Sequence, residues 1–343
     1  ANPSTLYLGT AAGLFRTNAS GQWEFQHTVR THALSVEYSR PTTLWAAPNW
    51  GHDFGGGVMV IKSDDGGQIW RAASGDLSGW TAANPIIIDP DDPNTLYLTT
   101  STKYGGGILY RGTNAGNWRW LPLPIMGYYV NTGLAFDNGA NALYMGSRNP
   151  GKLWRSLNAN TPTPEDVQWQ LVHDFGANKS VVPLAVGWGP QGAALYVNLT
   201  DTTDWSTQLM RSDDGGSHWT EITAGLPSDF GMSMAAHPHN PDTAYVVPLQ
   251  GGELRCPPEF KLRVFRTSDA GATWEPMTAG LPQEQAFMGV YRDSLCTDTL
   301  PSAGLYMGTN TGQLWVSAND GDSWKLVTQN LPPICSVEAA VLD

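Results

Sequence analysis

The sequence predicts an all-β protein, a seven-bladed β-propeller of four-stranded antiparallel blades, in one domain over residues 1–343. Three observations carry this expectation. Seven tryptophans (Trp23, Trp70, Trp118, Trp169, Trp219, Trp274 and Trp324) recur 47 to 55 residues apart, a period of propeller size. Each closes a similar phrase of Ser or Thr, Asp or Asn, and Gly. An apolar strand with a central aromatic precedes each phrase. The composition agrees, with 38 Gly, 24 Pro, 15 Trp and 12 Tyr against only 15% charged residues. That is the balance of a turn-rich, aromatic-packed β protein.

The phrase is clearest in Ser63-Asp-Asp-Gly-Gly-Gln-Ile-Trp70 and Ser212-Asp-Asp-Gly-Gly-Ser-His-Trp219. Thr267 to Trp274 and Ser317 to Trp324 follow closely. Thr17 to Trp23 and Thr113 to Trp118 are shortened, and Ser156 to Trp169 carries an insertion. An Asp here accepts hydrogen bonds from the amides of its own turn, and Gly supplies the positive φ. Such turns join strands, so each phrase predicts a hairpin.

Around each hairpin lie further strands. The aromatic strands begin at Leu6-Tyr, Leu44-Trp, Leu96-Tyr, Leu143-Tyr, Leu195-Tyr, Ala244-Tyr and Leu305-Tyr. Segments such as Gly151 to Ser156 and Gln208 to Ser212 run into the phrases. Upstream, Ala33 to Tyr38, Pro85 to Asp89, Gly133 to Phe136 and Met232 to Ala236 predict the innermost strand of each unit. The chain starts with a second strand and ends on Cys335 to Leu342, an orphan innermost strand. Joining the two closes the ring and removes free sheet edges.

The phrase resembles the Asp-box, or BNR repeat, S/T-x-D-x-G-x-x-W. From Trp219 onward the chain also resembles bacterial BNR-repeat proteins described as glycosyl hydrolase or sialidase-like. The matching segments are Trp219 to Gly231, Asn240 to Pro248, Gly280 to Phe287 and Leu305 to Gly312. The resemblance implies a propeller acting on glycans. It does not extend to true sialidases, whose Arg-Ile-Pro signature is absent. Xyloglucanase-type glycosidases also carry Asp-boxes, but they set a cleft between two propellers, where this chain offers one.

The net charge of −12 repels phosphate backbones, so nucleic acid is not an expected partner. No run approaches the roughly 20 apolar residues of a membrane span. A small molecule or a glycan is the expected partner, the protein is expected to be a monomer, and a secreted or periplasmic location is favoured over the cytoplasm. Cys256, Cys296 and Cys335 lack zinc-site spacing and leave open one disulfide or three thiols.

Polar residues just ahead of the innermost strands are the candidates for chemistry, because those strands line a propeller's channel. They are Arg30 and His32, Asn84, Asn131, Lys179, Asp229, Glu284 with Gln285, and Ser336 with Glu338. Asp229 and Glu284 each follow a Leu-Pro turn and form the favoured catalytic pair, able to divide acid and base roles in glycoside cleavage. The loop Pro48 to Gly57 adds His52 and Asp53 as a further catalytic pair beside Trp50 and Phe54. Arg30, Trp50, Tyr128, Tyr129 and Gln285 are expected to contact substrate. The expected function is thus a glycosidase-like hydrolase working at the channel mouth. One alternative is a calcium-dependent ester or phosphoester hydrolase, with Asn84, Asn131, Asp229 and Glu284 holding the ion. The other is a non-catalytic propeller that binds glycan or protein. Asp65, Asp214 and Asp269, inside the phrases, read as structural.

Overall fold

The computed structural model describes residues 5–18, 20–37, 42–48, 60–75, 77, 82–92, 94–101, 107–114, 118–122, 129–189, 192–251 and 254–340. Apart from three short 3-10 turns, the regular elements among them are all strands. The chain separates into two compact units, residues 1–28, 185–196 and 206–343, and residues 29–184 and 197–205.

The first unit holds three complete four-stranded antiparallel sheets. One orders Ile334–Ala340, Thr5–Thr10, Gly13–Thr17 and Trp23–His27. The C-terminal strand therefore pairs with the N-terminal one, from Thr5↔Ala340 to Thr10↔Ile334. The other two run in chain order. They are Phe230–Ala236, Ala244–Leu249, Val264–Thr267 and Glu275–Met277, then Leu295–Thr297, Leu305–Gly308, Leu314–Ser317 and Lys325–Thr328. The strands 230–236, 295–297 and 334–340 pack side by side in a row.

The second unit repeats the pattern. Thr31–Val36, Leu44–Pro48, Ile61–Ser63 and Arg71–Ala72 form a four-stranded sheet. The four-strand sets Ala82–Ile88, Thr95–Ser101, Gly107–Asn114 and Trp118–Pro122, and Tyr129–Asp137, Ala142–Arg148, Gly151–Ser156 and Gln170–Gly176, belong to one 12-stranded sheet, joined by the pair Gly107↔Val130 and continued to the next strand by Arg148↔Ser180. A further set, Lys179–Gly189, Gly192–Asp201, Thr207–Ser212 and Thr220–Glu221, contributes residues to both units.

Burial explains the strand order within each sheet. The second strands are buried on both faces, as Ala244–Leu249 shows along its whole length. Strands covered on both sides must be apolar throughout. The tyrosines of these strands, Tyr7, Tyr97, Tyr144, Tyr196, Tyr245 and Tyr306, are all buried. Two hand their hydroxyl to a buried acid, Tyr97 to Asp89 at 2.9 Å and Tyr306 to Asp298 at 2.8 Å. Among the fourth strands, Arg71–Ala72, Thr220–Glu221, Glu275–Met277 and Lys325–Thr328 present exposed residues at sheet edges, and Arg71, Glu221, Glu275 and Lys325 on them discourage pairing with other chains.

Four of the tryptophan phrases fold as one repeated turn. Ser63 donates its hydroxyl to Asp65 and accepts the Gly67 amide at 2.8 Å, and Asp65 accepts the Ile69 amide at 2.9 Å. Ser212, Asp214, Gly216 and His218 repeat these bonds, as do Thr267, Asp269, Gly271 and Thr273. In the last copy Asn319 takes the acid's place and accepts from Ser317 and Ser323. Across the insertion after Asn158 the acceptor role is kept, because Asn158 accepts the Ser156 hydroxyl and the Gln168 amide directly before Trp169, although this copy has no glycine amide on its serine. These bonds hold the carboxyls of Asp65, Asp214 and Asp269 below the usual range.

The turn also ties neighbouring sheets together. The Trp274 ring N–H donates to the carbonyl of Ile222 at 2.8 Å, and the Trp324 amide donates to Ala279 at 2.8 Å. Gly280 passes so close beneath Trp324 that a Cβ there would lie 2.0 Å from its carbonyl oxygen. An arginine just before the turn reaches the next one. Arg266 pairs with Asp322 at 2.7 Å and Arg111 bonds the carbonyls of Ala159 and Thr161, while Arg211 pairs with Asp242 at 2.9 Å, in the turn that joins the first two strands of the next sheet. Trp274 and Trp324 are buried, while Trp219 is half-buried. All three cysteines are free thiols.

Two outcomes follow for stability. Removing residues 334–343 takes Ile334, Val337 and Ala339 out of the cluster they share with Leu6, Leu8 and Tyr306. The truncated chain is expected to lose its cooperative thermal transition, and an unchanged melting curve would contradict this. In the third full turn Ala270 stands at φ 63°, where two of the other copies have glycine. A left-handed residue with a Cβ costs about 1–2 kcal/mol, of which glycine's extra chain entropy takes back roughly 0.5–1 kcal/mol. Ala270→Gly should therefore raise stability by up to about 1.5 kcal/mol in chemical denaturation.

Candidate functional site

The chemistry-bearing residues that the first unit brings together lie on its row of first strands. Asp293 sits in the 3-10 turn Arg292–Ser294, immediately before Leu295–Thr297. The turn is fixed from both sides. Ser233 donates its hydroxyl to the Arg292 carbonyl at 3.2 Å, and Ser294 donates to Ile334 at 3.3 Å. Glu338 and Ser336 lie two residues apart on Ile334–Ala340, so strand alternation puts them on one face.

Neither carboxyl is fully covered, yet both lie deep in the protein. Burial pushes the Asp293 carboxyl up to about 6, with Arg292 opposing. Burial, and after it the charge of Asp293, pushes Glu338 up to about 8. Cys296, next along the row, has its thiol raised by burial first, then by Glu338 and Asp298. The buried Ser336 hydroxyl makes no hydrogen bond to another described residue. The arrangement is a proton-holding carboxyl, Glu338, near a stronger acid, Asp293, with a spare hydroxyl two residues away on the Glu338 strand. Environments that push two acids apart in this way set up one proton donor and one acceptor.

The sequence reading named Glu338 and Ser336 but passed over Asp293. It aligned Glu284 with Asp229 through their shared Leu-Pro turns. Asp229 does directly precede its strand, Phe230–Ala236, whereas ten residues, 285–294, separate Glu284 from Leu295. Asp293 occupies the position at the strand entrance. Asp229 is exposed and accepts the Thr207 amide at 3.2 Å. Glu284 and Gln285 are exposed on the connecting loop, Gln285 at φ 52°. No hydrogen bond between Asp229 and Glu284 occurs among the described residues.

Arg30 is exposed beside the strand Thr31–Val36. His32, Asn84, Tyr129 and Asn131 lie on strands, but their side chains fall outside the described residues. Trp50, His52, Asp53 and Tyr128 also fall outside them. Lys179 is held at 2.8 Å by Asp201. Among the described residues no three His, Cys, Asp or Glu converge to hold a metal ion.

Comparison with known proteins places this architecture among β-propeller-type folds. Residues 207–339 match the family model described as "Sortilin, neurotensin receptor 3". A xyloglucanase of Paenibacillus sp is 28% identical over 216 residues, covering 50% of this chain and 20% of the relative. A xyloglucanase of Hypocrea jecorina is 22% identical over 375 residues, covering 91% of this chain and 43% of the relative. The chain thus spans less than half the length of either curated relative. The crystal structure of a protein from Lactobacillus plantarum aligns with a TM-score of 0.62 at 13% identity, covering 98% of both chains. The chain is an all-β protein of the β-propeller class.

The raised acids have a consequence for stability. Each holds its proton to higher pH when folded than in the unfolded chain, where carboxyls titrate at about 4. Their contribution is present below that value and is lost as pH rises through about 6 and then about 8. Glu338→Gln cannot ionise, so its melting temperature should fall less than the wild type's between pH 5 and pH 9. Parallel curves for the two proteins would show that Glu338 is not raised.

Proposed function

We propose that this chain is a glycosidase-like hydrolase in which Glu338 and Asp293 form the acid–base pair. The single observation that carries the reading is the placement of Asp293 in the turn that enters one first strand and of Glu338 on the first strand packed against that turn, each carboxyl raised by burial. The similarity to two xyloglucanases supports a glycan as the substrate class. The seven four-stranded sets are read as seven blades, closed by the C-terminal strand; the ladder Thr5↔Ala340 to Thr10↔Ile334 supports that closure. The tryptophan phrases are read as Asp-boxes, supported by the repeated Ser/Thr–Asp–Gly turn bonds.

Between pH of about 6 and about 8, Asp293 is ionised and Glu338 keeps its proton. Glu338 then donates that proton to the glycosidic oxygen as the bond to the anomeric carbon breaks. Asp293 acts on the other side, as base toward water or as nucleophile. Ser336 offers its free hydroxyl to a sugar hydroxyl. Loss of either protonation state stops turnover, so kcat/KM follows a bell with limbs near these two values.

The test is release of reducing ends from xyloglucan or another β-glucan. Glu338→Gln and Asp293→Asn should each lower kcat/KM on the order of 10²–10⁴-fold with melting behaviour that still shows a folded protein. Asp229→Ala and Glu284→Ala are the controls, because assigning the chemistry to that pair reverses the ranking. Full turnover by the Glu338 and Asp293 variants would overturn the assignment. Binding of glycan by a wild type that never cleaves it would favour the non-catalytic propeller.

A further inference from the structure

In four of the strand sets an acid stands two places beyond the partner of the second-strand aromatic. Trp45, Tyr97, Tyr144 and Tyr306 pair with Ser35, Ile87, Ala135 and Cys296, and the acids are Glu37, Asp89, Asp137 and Asp298. Asp89 and Asp298 accept the tyrosine hydroxyl there. Tyr245 pairs with Ala235, so the same position falls on His237. Tyr245 is buried, and its hydroxyl makes no hydrogen bond among the described residues.

The next sheet departs from the repeat at the matching place. After the Asp or Asn of the turn, the first three full copies have Gly66, Gly215 and Ala270, whereas the last has Asp320. Asp320 stands at φ 53°, a left-handed setting that marks a position for scrutiny in any residue other than glycine. Its Oδ1 is buried without a hydrogen bond and lies 3.4 Å from His237 Nε2. A histidine where other sheets carry an acid thus meets an acid where other turns carry a small residue.

The neighbours decide where the His237 proton sits. Its Nδ1 accepts the His239 amide at 3.0 Å, so the neutral ring carries its proton on Nε2, toward Asp320. His239 points its own Nε2 at the carbonyls of Leu300 and Thr299, at 3.0 and 3.2 Å. The other charged and titratable groups nearby have their own contacts. Tyr245 stacks on the His237 ring with centroids 6.5 Å apart, and Arg266 bonds the Asp320 carbonyl and Asp322. Asp242 pairs with Arg211, and Asp298 holds Tyr306. Both histidines therefore bridge the turn of residues 237–243 to the following sheet.

We propose that His237 and Asp320 form an acid-sensitive latch between the sheet that begins with Phe230–Ala236 and the one that begins with Leu295–Thr297. A second proton can enter the His237 ring only at Nδ1. It then faces the His239 N–H, donor against donor, and the bond that shapes the turn is lost. His239 is drawn off the Leu300 and Thr299 carbonyls with it. Burial opposes the charged ring most strongly, Asp320 favours it and His239 opposes it, so His237 is held below the ordinary histidine range. The unfolded chain takes up this proton first, at about 6.5. The latch is therefore closed above that pH, and its contribution is lost as pH falls from there through the folded value.

The test is hydrogen exchange of the whole chain at pH 7.5 and 5.5, corrected for the intrinsic rate. Residues 237–243 and 299–303 should lose protection on the order of tenfold at the lower pH, the factor that one unit of pKa represents, while Thr5–Thr10 and Gly13–Thr17 keep theirs. His237→Asn retains an acceptor for the His239 amide and cannot titrate, so its exchange at these residues should not respond to pH. Asp320→Gly suits the left-handed position and removes the attracting charge, so nitrogen NMR should find His237 titrating lower still. Equal protection of the wild type at both pH values, the same acid response in His237→Asn, or an unmoved His237 titration in Asp320→Gly would each overturn the latch.

Discussion

The repeated turn on which the sheets depend is a hydrogen-bond exchange between side chain and backbone. A Ser or Thr hydroxyl accepts a glycine amide, and an Asp or Asn oxygen two residues on accepts the amide preceding the tryptophan. This reverses the chain between the third and fourth strands with its polar groups satisfied locally. It also fixes where the tryptophan goes. In the first unit Trp274 and Trp324 are then set against the sheet before their own, and each bonds its backbone. One local device thereby serves both the hairpin and the junction between sheets.

Around that device the sheets are locked by side chains of two further kinds. Buried tyrosines fill the second strands, and their hydroxyls find acids such as Asp89 and Asp298. Arginines ahead of the turns reach acids or carbonyls in turns of the next set of strands, and Arg211 is nearly buried while doing so. Leaving such a guanidinium without its acid would be costly. Adjacent sheets are thus held by packing and by ionic contacts, and the first strands are pressed into a row. That row is what deprives Asp293 and Glu338 of water. Their raised affinity for protons is a by-product of how the sheets close on one another.

The repeat was legible from the sequence because its cause is local. Seven tryptophans, the turn residues around them and the Leu-Tyr strands each follow from bonds within one hairpin or one strand, so composition and spacing determine them. The orphan C-terminal strand was legible too, since an array of four-strand units leaves one strand short. Ser336 and Glu338 were found by the same logic, as polar residues on that strand. Asp293 was not, because the loop of residues 285–294 displaces the strand from the Leu-Pro turn that located it. Nor could the sequence tell half-buried Trp219 from buried Trp274. Hydrogen bonds to near neighbours are written in the sequence, whereas desolvation, charge proximity and solvent exposure arise only once distant segments are packed together.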